Sequence, residues 1–206
     1  MQQGGKFQLQ RNIAVSMAYA AIQENNSCGL LLYADDVVDY LSPSADPHQV
    51  QRIEQKLSML HDLDVRQSRL RPALKFMKRK LPFCFGVILS DFQHDMEEFQ
   101  GITGATARWQ LPAYELVAIH LVSGAEMNHQ GFCGGQLCLQ DVESSSHCCV
   151  DLSRWREYDL GQKQRRQQMM HALDYSGISS LLIEIGKADV QMEINNFFIR
   201  RGSSRC

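Results

Sequence analysis

The sequence predicts an α/β protein with a three-layer, Rossmann-like fold, in which a mostly parallel sheet lies between helices. Apolar runs of strand length, such as Phe83–Phe92, alternate along the chain with amphipathic segments of helix length. Strands and helices in alternation are typical of a parallel sheet with crossover helices. With 206 residues and no internal repeat or linker, the chain has room for one domain, 1–206, with a substantial core.

The run from Phe83 to Phe92 is apolar until it breaks at Ser90 and Asp91. Such a run predicts a strand that is buried on both faces. Ligands of open α/β sheets bind at the carboxyl ends of strands, so Asp91 could bind a hard cation or accept hydrogen bonds from a partner. Alternatively, Asp91 caps the segment after it, because Asp is a favoured cap residue.

The first half of the chain is predicted to contribute three helices and two further strands. Apolar residues at helical spacing, from Leu9 to Ala21, predict an amphipathic helix of about five turns. It is followed by a buried strand at Cys28–Tyr33, a short edge strand at Val37–Leu41, a helix at His48–Leu60, and a helix at Arg69–Leu81 that Ser68 can cap.

The second half is predicted to add two strands, a ribbon and two long helices. A long apolar run at Tyr114–Val122 predicts a buried strand, in which His120 is a core or sheet-end histidine. An extra β-ribbon is expected near 130–152, around Gly134 and Gly135. The remaining elements are a helix from Arg154 to Ser176 ended by Gly177, a strand at Ile178–Ile185, and a helix at Asp189–Arg200.

The composition excludes several classes of protein. A net charge of −2 with 21% charged residues gives no basic field for nucleic acid. No apolar run approaches the roughly 20 residues of a membrane span. The start of the chain lacks the apolar region of a signal peptide, so the seven Cys are interpreted as reduced thiols in the cytoplasm.

A zinc site is the first alternative that the residues raise. Cys133, Cys138, His147, Cys148 and Cys149 lie close together in sequence, and zinc takes four nitrogen or sulfur ligands. The first pair is spaced C-x4-C, and the side chains of two adjacent Cys in a strand point to opposite faces. Buried or half-buried thiols on the ribbon are therefore the preferred interpretation.

A metal-assisted hydrolase is the second alternative. The chain has no nucleophile elbow G-x-S-x-G, no P-loop and no G-x-G-x-x-G after a strand. Asp35, Asp36 and Asp91 follow two predicted strands and could converge above the sheet to hold magnesium. In that case Asp91 would act as general base or metal ligand, with Asp35 or Asp36 assisting.

Four segments together resemble the von Willebrand factor type A fold, and within it the bacterial subfamily encoded beside MoxR-type AAA+ ATPases. They are Gly29–Asp35, Val87–Phe92, the strand-ribbon-helix-strand succession at 114–185, and the helix at 189–200. The resemblance covers nearly the whole chain and depends on order and spacing. It implies a non-enzymatic protein-interaction domain, a MoxR-type ATPase as partner, and a role in assembling or maturing other proteins.

The resemblance also implies an incomplete metal site. Such domains bind a divalent cation through a D-x-S-x-S loop after the first strand, a Thr on a second loop and an Asp on a third. Asp91 matches the third position, and Ser68 falls where the Thr would be. Since the D-x-S-x-S motif is absent, Asp91 and Ser68 are expected to bind Mg²⁺ only weakly, with no affinity below the millimolar range.

The first strand of such a domain is expected to be missing as well. The segment Met1–Phe7 falls where the family has the loop after that strand, so the chain is predicted to be an N-terminally shortened version of the domain. The missing strand would lie in mid-sheet, between Cys28–Tyr33 and Phe83–Leu89. These strands would leave main-chain groups unpaired unless they close up or a partner supplies a strand. A truncated product that never folds stably is the third alternative.

Overall fold

The structure is a computed structural model, and it describes residues 3–62, 69–81, 83–92, 114–123, 135–140, 147–151, 155–186 and 189–203. Within these ranges the predicted α/β class is confirmed. The elements, in chain order, are α1 (Gln3–Gln23), β1 (Cys28–Tyr33), β2 (Val37–Ser44), α2 (Gln49–Ser58) with a short 3₁₀ turn at Met59–Asp62, α3 (Leu70–Lys80), β3 (Cys84–Ser90), β4 (Tyr114–Ser123), β5 (Gln136–Gln140), β6 (His147–Asp151), α4 (Trp155–Tyr175), β7 (Ser179–Ile185) and α5 (Val190–Ser203).

The centre of the fold is a three-stranded parallel sheet in the order β3-β4-β7. One face is covered by α1 and α5 through Ile13 and Ile194, which pack with Ile119 of β4. The other face is covered by α3 and α4 through Leu74 and Leu173. Helices on both faces of a parallel sheet form the three layers that the sequence predicts.

β1 and β2 form a separate antiparallel pair. The pairing of β1 with β2 is irregular between Cys28 and Leu30. Pro43 of β2 lies in this irregular part, and a proline has no main-chain N–H to donate to β1. The side chain of Gln49, which is 1% exposed, supplies the missing donor: its Nε2 donates to the carbonyl oxygens of Cys28 and Ser42, both at 2.9 Å. Buried Gln49 therefore stabilises the irregular end of this pair.

The expected ribbon near 130–152 is present as an antiparallel pair of β5 and β6. Its strands are joined across residues 141–146 rather than around a Gly-Gly turn. Gly135 instead precedes β5 with a φ of 114°, a conformation that glycine adopts readily. The sequence also predicts a short helix and a loop over Met96–Trp109, and Ser153 as the cap of the helix that follows the ribbon; both lie outside the described residues.

Two element boundaries differ from the predictions. The N-cap residue of α3 is Arg69, which makes no side-chain cap, rather than Ser68. The last helix continues to Ser203, three residues beyond its predicted end at Arg200. A salt bridge between Arg201 and Glu115 of β4, with 2.8 Å between Nη2 and Oε1, joins this last turn to the sheet.

The prediction that β1 and β3 are buried on both faces is wrong. Most β1 residues are only partly buried, and in β3 the Phe85 side chain is 52% exposed. In the described part of the chain, β1 pairs with β2 alone and β3 with β4 alone, so the two strands form no ladder with each other. Both are edge strands, which explains their exposure although their sequences are as apolar as that of β4.

Candidate functional site

The candidate site is the turn at the carboxyl end of β3. Ser90 and Phe92 are buried, and Asp91 between them is partly exposed. The Phe92 N–H donates to Ser90 Oγ at 3.0 Å, and Phe92 has a φ of 50°, in the left-handed region. This tight turn keeps the Asp91 carboxylate at the edge of the sheet, where solvent or a partner can reach it.

Burial of the Phe92 ring compensates for the unfavourable backbone conformation. A non-glycine residue in the left-handed region costs about 1–3 kcal/mol. The ring is 5% exposed and packs edge-to-face on His120 with 5.6 Å between ring centroids. His120 is 3% exposed and opposite Ser90 in the ladder, so the predicted core or sheet-end histidine is confirmed.

The Asp91 carboxylate forms a salt bridge with Lys6 of α1, with 3.2 Å between Oδ2 and Nζ. The ammonium group therefore lies at the position where a cation bound to Asp91 would be. A divalent ion would have to displace Lys6 and still find further oxygen ligands. Among the described residues, the ligands available at this site do not fit a Mg²⁺ centre.

A second residue of α1 contacts the same end of β3. Gln10 Nε2 donates to the main-chain oxygen of Leu89 at 2.7 Å. Lys6 and Gln10 are four residues apart and so lie on the same side of the helix. Both side chains fix the first turns of α1 to the carboxyl end of β3.

Asp35 and Asp36 do not join Asp91. Both are exposed, and their carboxylates accept hydrogen bonds from the next residue's main chain: Asp35 Oδ1 from Asp36 N–H at 3.1 Å, and Asp36 Oδ1 from Val37 N–H at 2.7 Å. No group of three or more His, Cys, Asp or Glu in the described ranges could hold a metal ion. The predicted convergence of the three carboxylates is therefore wrong, and these two Asp shape the turn between β1 and β2.

Several other predicted site residues cannot be placed. Ser68 lies outside the described residues, as does Cys133. Of the residues weighed as zinc ligands, Cys149 is an exposed cysteine outside any disulfide and lies opposite Cys138 in the ribbon. The ribbon position of Cys149 agrees with the preferred interpretation, but the expectation of buried or half-buried thiols is wrong for Cys149, which is exposed.

The two thiols at the starts of β1 and β3 are poor nucleophiles. Burial raises the pKa of the Cys28 thiol and of the Cys84 thiol above the ordinary value. Since the thiolate is the reactive form, both remain protonated thiols at neutral pH. Neither supplies the nucleophile that the sequence also lacks.

Sequence reasoning did not find Lys6 and Gln10 as residues of this site. Their spacing places them on one helix face, but polar residues on such a face usually contact solvent. Which strand end they reach depends on the packing of α1 across the sheet. The left-handed conformation of Phe92 likewise has no signal in the sequence, because bulky aromatic residues rarely adopt it.

Comparison with solved structures shows the fold alone. The chain is similar to the conserved hypothetical protein BatB from Bacteroides thetaiotaomicron, with a TM-score of 0.51, 9% identity, and coverage of 92% of this chain and 88% of that one. It also aligns with an uncharacterised membrane-spanning protein from Vibrio fischeri, with a TM-score of 0.26, 11% identity, and coverage of 95% and 85%. No family model and no curated protein matches the chain. In the described residues, none of the helices has the length and apolar character needed to cross a membrane.

Proposed function

We propose that this chain is a protein-interaction domain of von Willebrand factor A type that works with a MoxR-type AAA+ ATPase. In this proposal the domain is not an enzyme, and it acts in the bacterial cytoplasm in the assembly or maturation of protein complexes. The carboxyl end of β3, with Asp91, is the surface that contacts the partner.

The position of Asp91 is the observation that carries the proposal. Asp91 follows a parallel strand of a sheet that lies between two layers of helices. The resemblance places the Asp of the third metal-binding loop at this strand end, where α/β sheets bind ligands. It is partly exposed, and Lys6 holds it in place. A carboxylate held in this way can accept a hydrogen bond or pair with a cationic side chain of a partner.

The hydrolase alternative is less well supported. Asp91 would have to act as a general base or a metal ligand, and its pairing with Lys6 opposes both roles. The thiols at the starts of β1 and β3 are held protonated. Turnover of phosphoesters or amides by the purified chain, lost in Asp91→Ala, would favour the hydrolase and contradict the proposal.

Calorimetric titration with the MoxR-type ATPase encoded in the same genome tests the proposed function. We expect saturable binding that weakens about tenfold in Asp91→Ala, equivalent to about 1.4 kcal/mol. Asp174→Ala is the matched control, because Asp174 is an exposed carboxylate on α4, far along the chain from the site. Absence of binding with the folded chain in excess would reject the partnership, and equal weakening by both variants would reject Asp91 as the contact.

A further inference from the structure

We propose that the ribbon of β5 and β6 is a site of reversible thiol oxidation, at which Cys138 and Cys149 form a disulfide. In the reduced form the two strands are joined by main-chain hydrogen bonds, and in the oxidised form a covalent bond joins them as well. The proposal does not depend on the ATPase partnership, because the ribbon carries it, whereas Asp91 carries the proposed function.

The register of the ribbon is the first observation. Cys138 of β5 lies directly opposite Cys149 of β6 in an antiparallel pair. Directly opposite residues occupy the same face of such a ribbon, with Cα atoms about 4.5 or 5.5 Å apart according to the kind of pair. A disulfide joins residues whose Cα atoms are roughly 4.4–6.8 Å apart. Both kinds of pair fall within this range, so the main chain holds the two cysteines at a separation that a disulfide spans.

Cys148, the third cysteine of the ribbon, occupies a different place. It lies opposite Leu139, next to Cys149 in sequence and therefore on the other face of β6. A cysteine at this position is not a neighbour of Cys138 on the same face. The register thus selects one pair, although the sequence has four cysteines between 133 and 149.

The second observation is that solvent reaches one member of the pair. Cys149 is exposed, and so is Asp151, which lies two residues further along the same face of β6. Redox-active cysteines are accessible to solvent and react as thiolates. Cys28 and Cys84 are only half exposed, and burial raises the pKa of both thiols. Among the three cysteines whose side chains the structure describes, Cys149 is therefore the one that an oxidant reaches most easily.

The ribbon is also a part of the fold whose order a covalent bond can change. Among the described strands, β5 and β6 pair only with each other, whereas β4 is paired on both sides. A two-stranded ribbon by itself is only marginally stable in water. A disulfide between opposite residues closes the chain across residues 139–148 and removes open conformations of the ribbon. Oxidation is therefore expected to fix the ribbon and to leave the central sheet as it is.

The proposed oxidant is a low-molecular-weight disulfide, for which glutathione disulfide is the probe. The Cys149 thiolate attacks one sulfur of glutathione disulfide, and the first glutathione leaves as a thiolate. The Cys138 thiolate then attacks Cys149 Sγ of the mixed disulfide, and the second glutathione leaves. The two protons that the cysteines release are taken up by the two glutathione thiolates.

The exchange is balanced and reversible. Two cysteine thiols are oxidised to one disulfide, and one glutathione disulfide is reduced to two thiols. An excess of reduced glutathione drives the same steps backwards. This behaviour is typical of disulfides in reducing compartments, which are usually transient and respond to oxidants.

The test is disulfide mapping of the full chain after equilibration at a series of ratios of reduced to oxidised glutathione. Unreacted thiols are blocked with N-ethylmaleimide, and a glutamate-specific protease then cuts after Glu143, between the two strands. We expect a linked pair of peptides in the oxidised sample, which reduction separates. Amide hydrogen exchange at 136–140 and 147–151 should slow by at least about tenfold on oxidation and stay unchanged at 114–123.

Three serine variants show which cysteines form the bond. Cys138→Ser and Cys149→Ser should each lower the yield of linked peptides by at least about tenfold, because cysteines more than about 7 Å apart are not bridged unless the main chain moves. Cys148→Ser is the matched control, since Cys148 is next to Cys149 but on the other face. It should leave the yield and the slower exchange unchanged. Fragmentation of the linked peptides from the unmodified chain assigns the bonded sulfur atoms without relying on the folding of a variant.

Four results would overturn the proposal. The first is the absence of linked peptides even with glutathione disulfide alone. The second is their loss in Cys148→Ser, which would make Cys148 the bonded residue. The third is their presence only in covalent dimers, which would mean that the bond joins two copies of the chain. The fourth is stoichiometric zinc in the purified chain that alkylation of the thiols releases, which would identify a metal site. Loss of ATPase binding with the disulfide still formed would affect the proposed function alone.

Discussion

β4 and β3 are neighbours in one sheet with similarly apolar sequences, yet their environments differ. β4 is paired on both sides and covered on both faces, and Val117, Ala118, Ile119 and Val122 are all 0% exposed. Among the described strands, β3 is paired with β4 alone, and its residues largely alternate between buried and partly exposed. The same contrast separates β4 from β1. An apolar run is therefore not sufficient for burial along its whole length, because a strand with one neighbour keeps some of its residues partly exposed.

This difference predicts where the stability of the molecule resides. Each buried methylene group contributes about 0.8 kcal/mol, and a cavity adds to the loss when it is removed. Substitutions around β4 should therefore be costly, whereas equivalent substitutions at the open edge of β3 should be tolerated. Matched pairs of residues in the two environments allow the comparison to be measured.

The largest effect is expected for Phe92→Ala, compared with Phe85→Ala. The Phe92 ring is buried between His120 and the cluster under α3 and α4, so its removal should cost about 3–5 kcal/mol of the free energy of unfolding. Phe85 is 52% exposed, and its removal should cost about 1 kcal/mol. Urea denaturation measures both, and losses of similar size would mean that the edge of β3 is covered in solution.

A smaller but better matched difference is expected for Val117→Ala and Val87→Ala. These two residues are opposite each other in the ladder and belong to the same apolar cluster. Val117→Ala should lower the free energy of unfolding by about 2–3 kcal/mol, and Val87→Ala by about 1 kcal/mol.

The Lys6–Asp91 pair should contribute little to stability. Both side chains are partly exposed, so Lys6→Met should change the free energy of unfolding by about 0.2–1 kcal/mol, and the loss should shrink as salt is added. Calorimetric titration of the unmodified chain with Mg²⁺ should give no binding below the millimolar range, because one paired carboxylate is too few ligands. Micromolar binding abolished by Asp91→Ala would contradict this expectation.

The smallest effect is a pH dependence in the β1–β2 region. The pKa of Asp39 is lowered, chiefly by the hydrogen bond from Lys56. Burial raises this pKa, but by less than the hydrogen bond lowers it. A lowered pKa in the folded state gives stability that is present above the unfolded pKa of about 3.9 and is lost as the pH falls through the folded value. For an exposed pair this amounts to at most about 1 kcal/mol.

Lys56→Met is the variant that checks this effect. It should remove the Asp39 contribution near neutral pH, so that the difference in stability from the unmodified chain disappears as the pH falls below the folded pKa of Asp39. Urea denaturation at a series of pH values measures the difference. A difference that persists in acid would mean that Lys56 acts through packing rather than through its charge.

Much of the fold was predictable because its signals are local. Strand and helix periodicity placed β1 at Cys28–Tyr33 with the observed bounds and most other described elements within a few residues of theirs, although α1 begins at Gln3, six residues before the first apolar residue of its predicted stripe. The site was predicted only in part: Asp91 lies at the strand end as expected, whereas its contact with Lys6 and the separation of Asp35 and Asp36 from it were not foreseen. The single domain over 1–206 and the missing first strand remain predictions.

The order of strands and helices follows from the sequence alone, because hydrophobic periodicity depends on residues within one or two turns of each other. The pairing of strands does not, because it depends on residues far apart along the chain. Thus the apolar runs of β1, β3 and β4 are alike in sequence, and only the tertiary structure gave β1 and β3 one partner each among the described strands and buried the middle of β4 between two. The physical reason is that a strand's burial depends on the neighbours that it acquires in three dimensions.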